Sequence, residues 1–390
     1  MKLKNINYIN FNNQKKTNKN KKLIKLLKLK DLISKYPMLK SFTQDYKYTF
    51  KKSLLKKYKN YSEYNLIGIG GSSLGSEAIY QFLNDKIKKK FYFFDNLEIK
   101  KNLKTQKKRL NIIISKSGNT LETISNLNII LTKQNKNQNL LITEKKKNIL
   151  NILANKIKSD IIEHRNYIGG RYSVLSEVGM IPAELMGLKE RKFKRLNYLI
   201  KKKSFINFLI KNVLSIHNNI LNNKTNSVIL NYDPRSENFL KWYQQLVGES
   251  LGKSGKGLFP IISKMPKDNH SLLQLYLDGP KNNFYTFFSA KDVKSFKYNK
   301  LFLVNELTNL KNKNIGEVLQ AQKKATQIVF RKKKLAFRSI EILNRNEETL
   351  GELFSFFVLE TLLLGILLKV NPLDQQSVEL IKIETKKLLK

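Results

Sequence analysis

The sequence contains no cysteine and only three histidines. The absence of cysteine excludes disulfide bridges, thiolate nucleophiles and cysteine-ligated metal sites. Acidic residues are scarce, because 30 Asp and Glu stand against 74 Lys and Arg and leave a formal net charge of +44. Glycine (17) and proline (7) are too few for a collagen-like chain. These absences exclude the disulfide-stapled, zinc-ribbon and collagen-like classes, and with only three histidines we expect no His-rich metal site.

The composition is nevertheless that of a folded protein. The chain has 390 residues, of which 41% are hydrophobic and 10% aromatic, enough for a large core and for two or three domains. A charge of +44 raises the possibility of nucleic-acid binding. Lysine, however, is scattered from end to end among abundant Asn and Ile. We therefore interpret the charge as a solvated lysine-rich surface and expect no nucleic-acid partner, with a basic nucleic-acid-binding protein kept as an alternative.

No targeting or membrane-spanning segment is recognisable. A secretory signal has an apolar core, and residues 1–22 have none. A transit peptide is rich in arginine and serine, and no arginine precedes position 109. The most apolar stretch, 353–368, is interrupted by Glu360 and is short against the roughly 20 residues of a membrane span. We expect a helix buried in the core there, and hence a soluble, cytoplasmic protein without a membrane partner.

The order of strands, glycine loops and helices indicates an α/β fold. The sequence predicts a flexible basic arm over 1–21, an amphipathic helix over 22–35 and then two sets of apolar strands. The first set is 65–69, 111–114 and 140–143, and the second is 227–231, 258–263, 284–289 and 335–343. Strands that alternate with helices form parallel sheets, so the pattern predicts two successive units divided near 190–225. Two helices, 349–370 and 377–389, close the chain on either side of Pro372.

Two loops follow strands of the first unit: GIGGSSLGS (68–76) and SKSGNT (115–120). In doubly wound sheets, ligands bind at the carboxyl ends of the strands, where such loops lie. The second loop offers the hydroxyls of Ser115, Ser117 and Thr120 together with backbone N–H groups at a helix N-terminus. These donors suit a phosphate monoester, although simple helix capping explains the same residues.

Six motifs in series carry a resemblance to a known family. They resemble glucose-6-phosphate isomerase (phosphoglucose isomerase), of the sugar-isomerase (SIS) superfamily, from about residue 60 to 390. The motifs are GIGGSSLGS (68–76), SKSGNTLET (115–123), GGRYSVLSEVG (169–179), QQLVGESLGKSGKG (244–257), DNHSLLQLYLDG (268–279) and DQQSVELIK (374–382).

The resemblance implies a specific α/β architecture. It implies two SIS-type domains, each a doubly wound parallel-sheet αβα sandwich, with helical N- and C-terminal extensions. The predicted boundaries are 1–55 for the arm and N-terminal helices, 56–195 for the first domain with the phosphate loop, 196–345 for the second domain, and 346–390 for the C-terminal helices.

The resemblance also assigns catalytic roles. Glu249 matches the general base that moves a proton between C1 and C2 of the sugar through a cis-enediolate, and a buried carboxylate can be tuned for such work. Arg171 matches the arginine that faces the developing enediolate charge. His270 and Lys382 match the residues that assist opening of the sugar ring, and imidazole titrates near neutral pH as this step needs.

The remaining site residues are implied to bind substrate. Gly71 and Ser72 match the loop that touches the sugar, and Gln245 and Gln375 match amides that line its site. Those implied to grip the phosphate are Ser115, Lys116, Ser117 and Thr120. In the resembling family the active site is completed across a two-fold dimer, so we expect a homodimer in which His270 reaches the site of the neighbouring chain.

The implied activity is reversible isomerisation of glucose 6-phosphate and fructose 6-phosphate without a metal or cofactor, in glycolysis and gluconeogenesis. Two alternatives stay open at this point. One is a bifunctional phosphoglucose/phosphomannose isomerase, and the other is a noncatalytic sugar-phosphate-binding SIS protein.

Overall fold

A computed structural model of the chain describes residues 1–12, 21–97, 109–131, 138–291, 295–299, 304–375 and 377–389. Within these ranges the chain alternates strands and helices, as the sequence predicts. The strands are β1 (Ile6–Ile9), β2 (Glu63–Ile67), β3 (Lys90–Phe94), β4 (Leu110–Ile114), β5 (Gln138–Thr143), β6 (Asp160–Glu163), β7 (Asn226–Asn231), β8 (Phe259–Lys264), β9 (Asn283–Ala290) and β10 (Phe337–Ile342).

The helices that surround these strands differ widely in length. They are α1 (Lys21–Leu26), α2 (Leu29–Lys35), α3 (Lys52–Lys56), α4 (Leu74–Phe82), α5 (Leu121–Ile130), α6 (Ile149–Lys156), α7 (Glu177–Leu185), α8 (Leu196–Ile200), α9 (Lys203–Leu221), α10 (Glu237–Leu251), α11 (Leu273–Asp278), α12 (Ile315–Lys332), α13 (Glu347–Leu368) and α14 (Ser377–Leu388).

The strands form two sheets with parallel pairing. The first has the order β3-β2-β4-β5-β6, and all of its neighbouring strands are parallel. The second has the order β1-β10-β9-β7-β8 and is parallel except for the β1–β10 pair. In both sheets the order of strands reverses within the sheet, as in doubly wound folds. The predicted α/β class is confirmed, whereas the domain boundaries stay predictions.

The first strand corrects one expectation. The predicted flexible arm over 1–21 is wrong for the described part of that segment, because β1 pairs with β10 at the edge of the second sheet. Ile6 and Tyr8 are fully buried, and the Tyr8 ring contacts the rings of Phe208 and Phe356 at centroid distances of 5.3 and 4.9 Å. The alternation of apolar and polar residues is the signal for this strand. Residues 13–20 of the predicted arm lie outside the described residues.

Helices α10 and α13 link the two sheets. Helix α10 packs against α13 and against α4, the helix that follows β2 in the first sheet. The indole of Trp242 on α10 contacts the Phe354 ring of α13 edge to face at 4.7 Å and donates a hydrogen bond to the Arg171 carbonyl. Helix α10 therefore lies where side chains from both units meet.

Helix α13 is the apolar stretch that the sequence predicts as a core helix. The Asn346 side chain caps its N-terminus by accepting a hydrogen bond from the Thr349 N–H at 2.9 Å, and Lys369 ends it in the left-handed conformation. Among the described residues, α13 is the helix whose length and hydropathy would suffice to cross a membrane, and nearly all of its residues are buried inside the protein. The predicted core helix is confirmed.

Candidate active site

The last turn of α10 carries Glu249, the predicted general base. Gln245 lies one turn earlier on the same face of the helix, and its Nε2 donates a hydrogen bond to Glu249 Oε1 at 2.9 Å. The side chain of Glu249 is 29% exposed, so its carboxylate is held by the helix but still reaches solvent. The structure thus brings two of the predicted site residues into direct contact.

Arg171 lies opposite this carboxylate on a short 3-10 helix, Gly170–Leu175. Its side chain is 2% exposed, and its Nη1 donates to Glu249 Oε2 at 3.0 Å. Every N–H direction of the guanidinium is used, since the group donates to five acceptors. The other four are Ser250 Oγ (2.8 Å), Gln375 Oε1 (2.6 Å), the Pro372 carbonyl (2.7 Å) and the Asp374 carbonyl (2.9 Å). A guanidinium held in this way has a fixed position and orientation.

The glycine loop after β2 packs closely against both of these elements. Gly70 has a φ of +59°, and a Cβ on it would lie 2.8 Å from Gln245 Nε2. A Cβ on Gly71 would lie 2.2 Å from the carbonyl carbon of Gly170, so a side chain cannot be accommodated there. Ser72 follows in the same turn. Backbone rather than side chain therefore faces Gln245 and the segment that carries Arg171.

The predicted phosphate loop follows β4, the neighbour of β2 in the first sheet. Ser115 Oγ and Thr120 Oγ1 are 2.8 Å apart, and Ser117 Oγ accepts a hydrogen bond from the Asn119 N–H at 3.2 Å. Gly118 has a φ of +68°, and a Cβ there would collide with the Asn148 side chain at 2.2 Å. The loop leads directly into α5, for which Thr120 is the N-cap residue. Hydroxyls and backbone N–H groups are thus gathered at a helix N-terminus, where anions bind.

Lys116 adds positive charge to this loop. Its Nζ donates to the Asn166 carbonyl at 2.7 Å and lies 3.7 Å from Glu144 Oε1. Burial lowers the pKa of Lys116, and the charge of Arg171 acts in the same direction, although the carboxylate of Glu144 opposes both.

A cavity of about 500 Å³ opens beside Glu249. Its lining includes Glu249, Lys253, Asp374, Gln375 and Val378. This volume lies within the range of about 300–1,000 Å³ that is usual for small-molecule sites. The cavity lies between the end of α10 and the segment that joins α13 to α14, and the phosphate loop does not line it. In the described part of the chain, no group of three or more His, Asp and Glu side chains could hold a metal ion.

Two predicted residues lie apart from this centre. His270 is exposed and follows a short 3-10 helix, Lys267–Asn269, after β8. Lys382 lies on α14, where its Nζ pairs with Glu379 at 2.6 Å and its side chain is 63% exposed. Within the ranges described, no side-chain hydrogen bond or ion pair joins His270 or Lys382 to Arg171, Glu249 or Gln375. Helix α14 has no buried residue among those described.

The sequence reasoning missed several contacts that hold the centre together. Ser250 accepts from Arg171, and the Tyr172 hydroxyl is 2.8 Å from both Ser250 Oγ and the Pro372 carbonyl. Lys253 pairs with Asp374 at 2.5 Å. The motifs around Arg171 and Glu249 also contain Tyr172, Ser250 and Lys253. Their nearness in the sequence to Arg171 or Glu249 could have predicted that they lie at the site. The backbone carbonyls of Pro372 and Asp374, which accept from Arg171, could not be recognised in the sequence.

Comparison with known proteins identifies the family. A model of the phosphoglucose isomerase family matches residues 35–390. A glucose-6-phosphate isomerase from Methanocaldococcus jannaschii is 33% identical over 346 residues, which cover 83% of this chain and 84% of that protein. A glucose-6-phosphate isomerase from Campylobacter jejuni is 32% identical over 349 residues, with coverage of 83% and 84%.

Solved structures show the same fold. A hypothetical protein from Thermus thermophilus superposes with a TM-score of 0.81 at 22% identity, and the match covers 95% of this chain and 93% of that one. A glucose-6-phosphate isomerase from Chlamydia trachomatis has a TM-score of 0.68 at 19% identity, with coverage of 96% and 76%. Because the family match extends over nearly the whole chain, from the N-terminal helices to the last residue, this protein belongs to the phosphoglucose isomerase family.

Proposed function

We propose that the chain is an enzyme that interconverts glucose 6-phosphate and fructose 6-phosphate through a cis-enediolate, without a metal. The observation that carries the proposal is that Glu249, which lines a cavity of about 500 Å³, pairs with the buried Arg171 at a distance of 3.0 Å between Oε2 and Nη1. The relatives named glucose-6-phosphate isomerase support the choice of substrate. A noncatalytic sugar-phosphate binder needs the phosphate loop but has no use for a carboxylate paired with a buried arginine.

The proposed reaction balances within the sugar itself. The Glu249 carboxylate takes the proton from C2 and returns it to C1, while a proton moves from the C2 oxygen to the C1 oxygen. Carbon 2 is oxidised and carbon 1 is reduced, so no outside oxidant or reductant takes part. Gln245 holds one oxygen of the carboxylate at 2.9 Å, which orients the base. The guanidinium of Arg171, whose five N–H groups are all engaged by the protein, acts on the enediolate through its fixed positive charge, which stabilises the negative charge that develops on the enediolate oxygens.

Substrate binding is assigned to the two loops and to the amides. Ser115, Lys116, Ser117 and Thr120 bind the phosphate. Gly71 and Ser72 approach the sugar through their backbone, and Gln245 and Gln375 line its site. Because the phosphate is remote from the reacting carbons, the contacts of the phosphate loop contribute mainly to binding and positioning.

His270 and Lys382 are assigned to ring opening, and a homodimer is part of the proposal. Each site combines Glu249 and Arg171 of one chain with His270 of the other. The exposure of His270 supports this arrangement, as do the exposed apolar side chains of α14, among them Leu380 (67%) and Ile381 (70%). The cytoplasmic location belongs to the same proposal, which includes no nucleic-acid or membrane partner.

The test is a coupled assay on the purified protein with fructose 6-phosphate, with and without EDTA. We expect formation of glucose 6-phosphate that EDTA does not reduce. Glu249→Gln keeps the shape of the side chain but removes its basicity, so kcat should fall by about 10²–10⁴-fold while binding of a substrate analogue changes far less. Glu237→Gln, in the first turn of the same helix, is the matched control and should retain activity. A Glu249→Gln variant that keeps more than about a tenth of the wild-type turnover would remove this residue from the role of base.

A further inference from the structure

The segment 371–375, between α13 and α14, is held by two cations from different elements. Arg171 donates to the Pro372 and Asp374 carbonyls at 2.7 and 2.9 Å. Lys253 Nζ donates to the Asn371 carbonyl and to the Asp374 carbonyl, the latter at 2.7 Å, and pairs with the Asp374 carboxylate at 2.5 Å. The Asp374 carbonyl therefore accepts from Arg171 and Lys253 at the same time.

Lys253 is well placed to act as a fixed clamp. It directly follows Gly252, the C-cap residue of α10, whose N–H donates to the Gly248 carbonyl. Lys253 and Lys256 then close a tight loop by exchanging backbone hydrogen bonds at 2.9 and 3.1 Å. Gly255 and Gly257 provide the positive φ values of +69° and +127° that this loop requires. The loop follows Glu249 so closely that a shift of the lysine also shifts the end of the helix that carries the proposed base.

The ammonium of Lys253 has no donor left for a substrate. A lysine has three N–H donors, and three acceptor oxygens of the segment 371–374 surround this one. Although the side chain lines the cavity, it is only 17% exposed. The hydrogen bond from Lys253 is the largest cause that lowers the pKa of Asp374, so this carboxylate stays charged to a lower pH than an ordinary aspartate does. The contacts of Lys253 are thus directed at the protein.

We propose that Lys253 is a positioning residue of the active site, which holds the segment 371–375 against Arg171. This segment supplies three of the five acceptors of Arg171, including Gln375 Oε1 at 2.6 Å. Release of the segment frees N–H donors of the guanidinium and moves Gln375 away from the cavity. It also alters the position of the Arg171 guanidinium relative to the Glu249 carboxylate. The kinetic part of this inference rests on the proposed isomerase function, whereas the structural part does not.

The experiment compares Lys253→Met with Lys253→Arg, Asp374→Asn and the double variant Lys253→Met/Asp374→Asn in the full chain. Lys241→Met is the matched control, because Lys241 lies on α10, is 50% exposed and pairs with Glu237 at a distance of 4.0 Å. Two readouts are taken: amide hydrogen exchange of peptides covering 369–389, by mass spectrometry, and steady-state kinetics with fructose 6-phosphate. Circular dichroism and thermal unfolding check that each variant is folded.

We expect Lys253→Met to accelerate exchange in these peptides and to lower kcat/KM by about tenfold to a hundredfold, mainly through kcat, because small displacements of reacting groups are costly. Lys253→Arg should keep both the exchange rate of these peptides and kcat/KM close to the wild-type values. Asp374→Asn should give a smaller change in the same direction, and the double variant should be no worse than Lys253→Met alone. Lys241→Met should match the wild type.

Two outcomes would overturn the inference. A rise in KM alone, with exchange of the segment unchanged, would make Lys253 a substrate contact. Wild-type exchange and kinetics in Lys253→Met would remove it from the site altogether. If Lys253→Met does not fold, Asp374→Asn with unchanged exchange and kinetics counts against the inference in the same way. A wild-type protein without isomerase activity would contradict the proposed function, and the exchange measurement would still decide whether Lys253 holds the segment.

Discussion

Arg171 and Lys382 are both cations that the sequence assigns to the active site, yet they differ in every feature that fixes a side chain. Arg171 is 2% exposed and donates to five acceptors drawn from α10 and from the segment before α14. Lys382 is 63% exposed and pairs with a carboxylate three residues away on the same helix. His270 is exposed as well. The single chain thus fixes one part of the proposed site and leaves the other part at the surface.

The difference follows the chemistry that each part is proposed to perform. A base and a cation that act on developing charge need fixed positions, because their stabilising effect depends on geometry that exists before the reaction. Such positions require many contacts within one fold. Residues at the surface acquire fixed positions when another surface covers them, and the exposed apolar side chains of α14 indicate a region suited to be covered. The comparison therefore predicts large effects for changes in the buried part that do not depend on assembly.

The largest effect in this comparison is expected for Arg171→Lys. Lysine keeps the charge but cannot donate to five acceptors in the planar arrangement that the guanidinium provides. We expect kcat to fall by about 10²–10³-fold, as for the loss of a fixed electrostatic donor. The measurement is steady-state turnover at saturating fructose 6-phosphate. Arg195→Lys is the control, since Arg195 is largely buried and pairs with Glu352 away from the cavity. Equal losses in the two variants would show that the effect is a general consequence of replacing a buried arginine.

An intermediate effect is expected for the phosphate loop. Ser117→Ala/Thr120→Ala removes two hydroxyls from the N-terminus of α5, and hydrogen bonds to a charged group are each worth about 1.5–3 kcal/mol. KM for fructose 6-phosphate should rise about tenfold or more, with a smaller fall in kcat. Ser204→Ala, which removes an exposed hydroxyl from α9, should leave both constants unchanged. An unaltered KM in a folded double variant would place the phosphate elsewhere.

The smallest effect concerns stability and contrasts a buried carboxyl with an exposed one. Glu77 on α4 is 7% exposed, and burial, followed by the charge of Asp95, raises its pKa to about 7. Between pH 4.5 and 7 the unfolded chain has released this proton while the folded protein retains it. The folded state is therefore favoured by this group at low pH, and the contribution is lost as the pH rises through about 7.

Glu77→Gln should remove this dependence. Relative to the wild type, its free energy of unfolding should be higher at pH 8 than at pH 5, by at most about 3 kcal/mol. Urea unfolding at the two pH values gives the difference. Glu384→Gln, on the exposed helix α14, is the control for replacing a glutamate, because Glu384 is 64% exposed. A Glu77→Gln variant with the same pH dependence as the wild type would mean that this carboxyl does not retain its proton in the folded protein.

Much of the fold could be predicted from the sequence, because the central strands are continuous apolar runs followed by glycine or hydroxyl loops. Strands β2 and β4 are of this kind and β5 is an apolar run without such a loop, and each is observed within a few residues of its predicted position. Three strands were not predicted: β1, β3 and β6. All three lie at the edge of a sheet, where one side of the strand is unpaired. Strands β1 and β6 have only four residues each, which leaves little periodicity to detect, whereas β3 is a short aromatic run to which the sequence analysis assigned no strand.

The site divides in the same way. The contact between Gln245 and Glu249 follows from their spacing on one helix. The position of Arg171 beside Glu249 came from the family resemblance, since no periodicity relates residues 78 positions apart. The carbonyls of Pro372 and Asp374 could not be predicted, because every residue has a carbonyl and only the fold selects which ones face a guanidinium. The roles of His270 and Lys382 stay predictions, and so does the dimer that the proposal requires for them.

The most direct test of a site shared between two chains is to mix inactive subunits. Glu249→Gln and His270→Ala chains are each expected to be inactive as homodimers. A heterodimer of the two has one site with both defects and one site with neither, so its activity should return toward half that of the wild-type dimer. Subunit exchange is confirmed by mass spectrometry before the assay. Confirmed exchange without any return of activity, or an active monomer in sedimentation at assay concentration, would contradict the shared site.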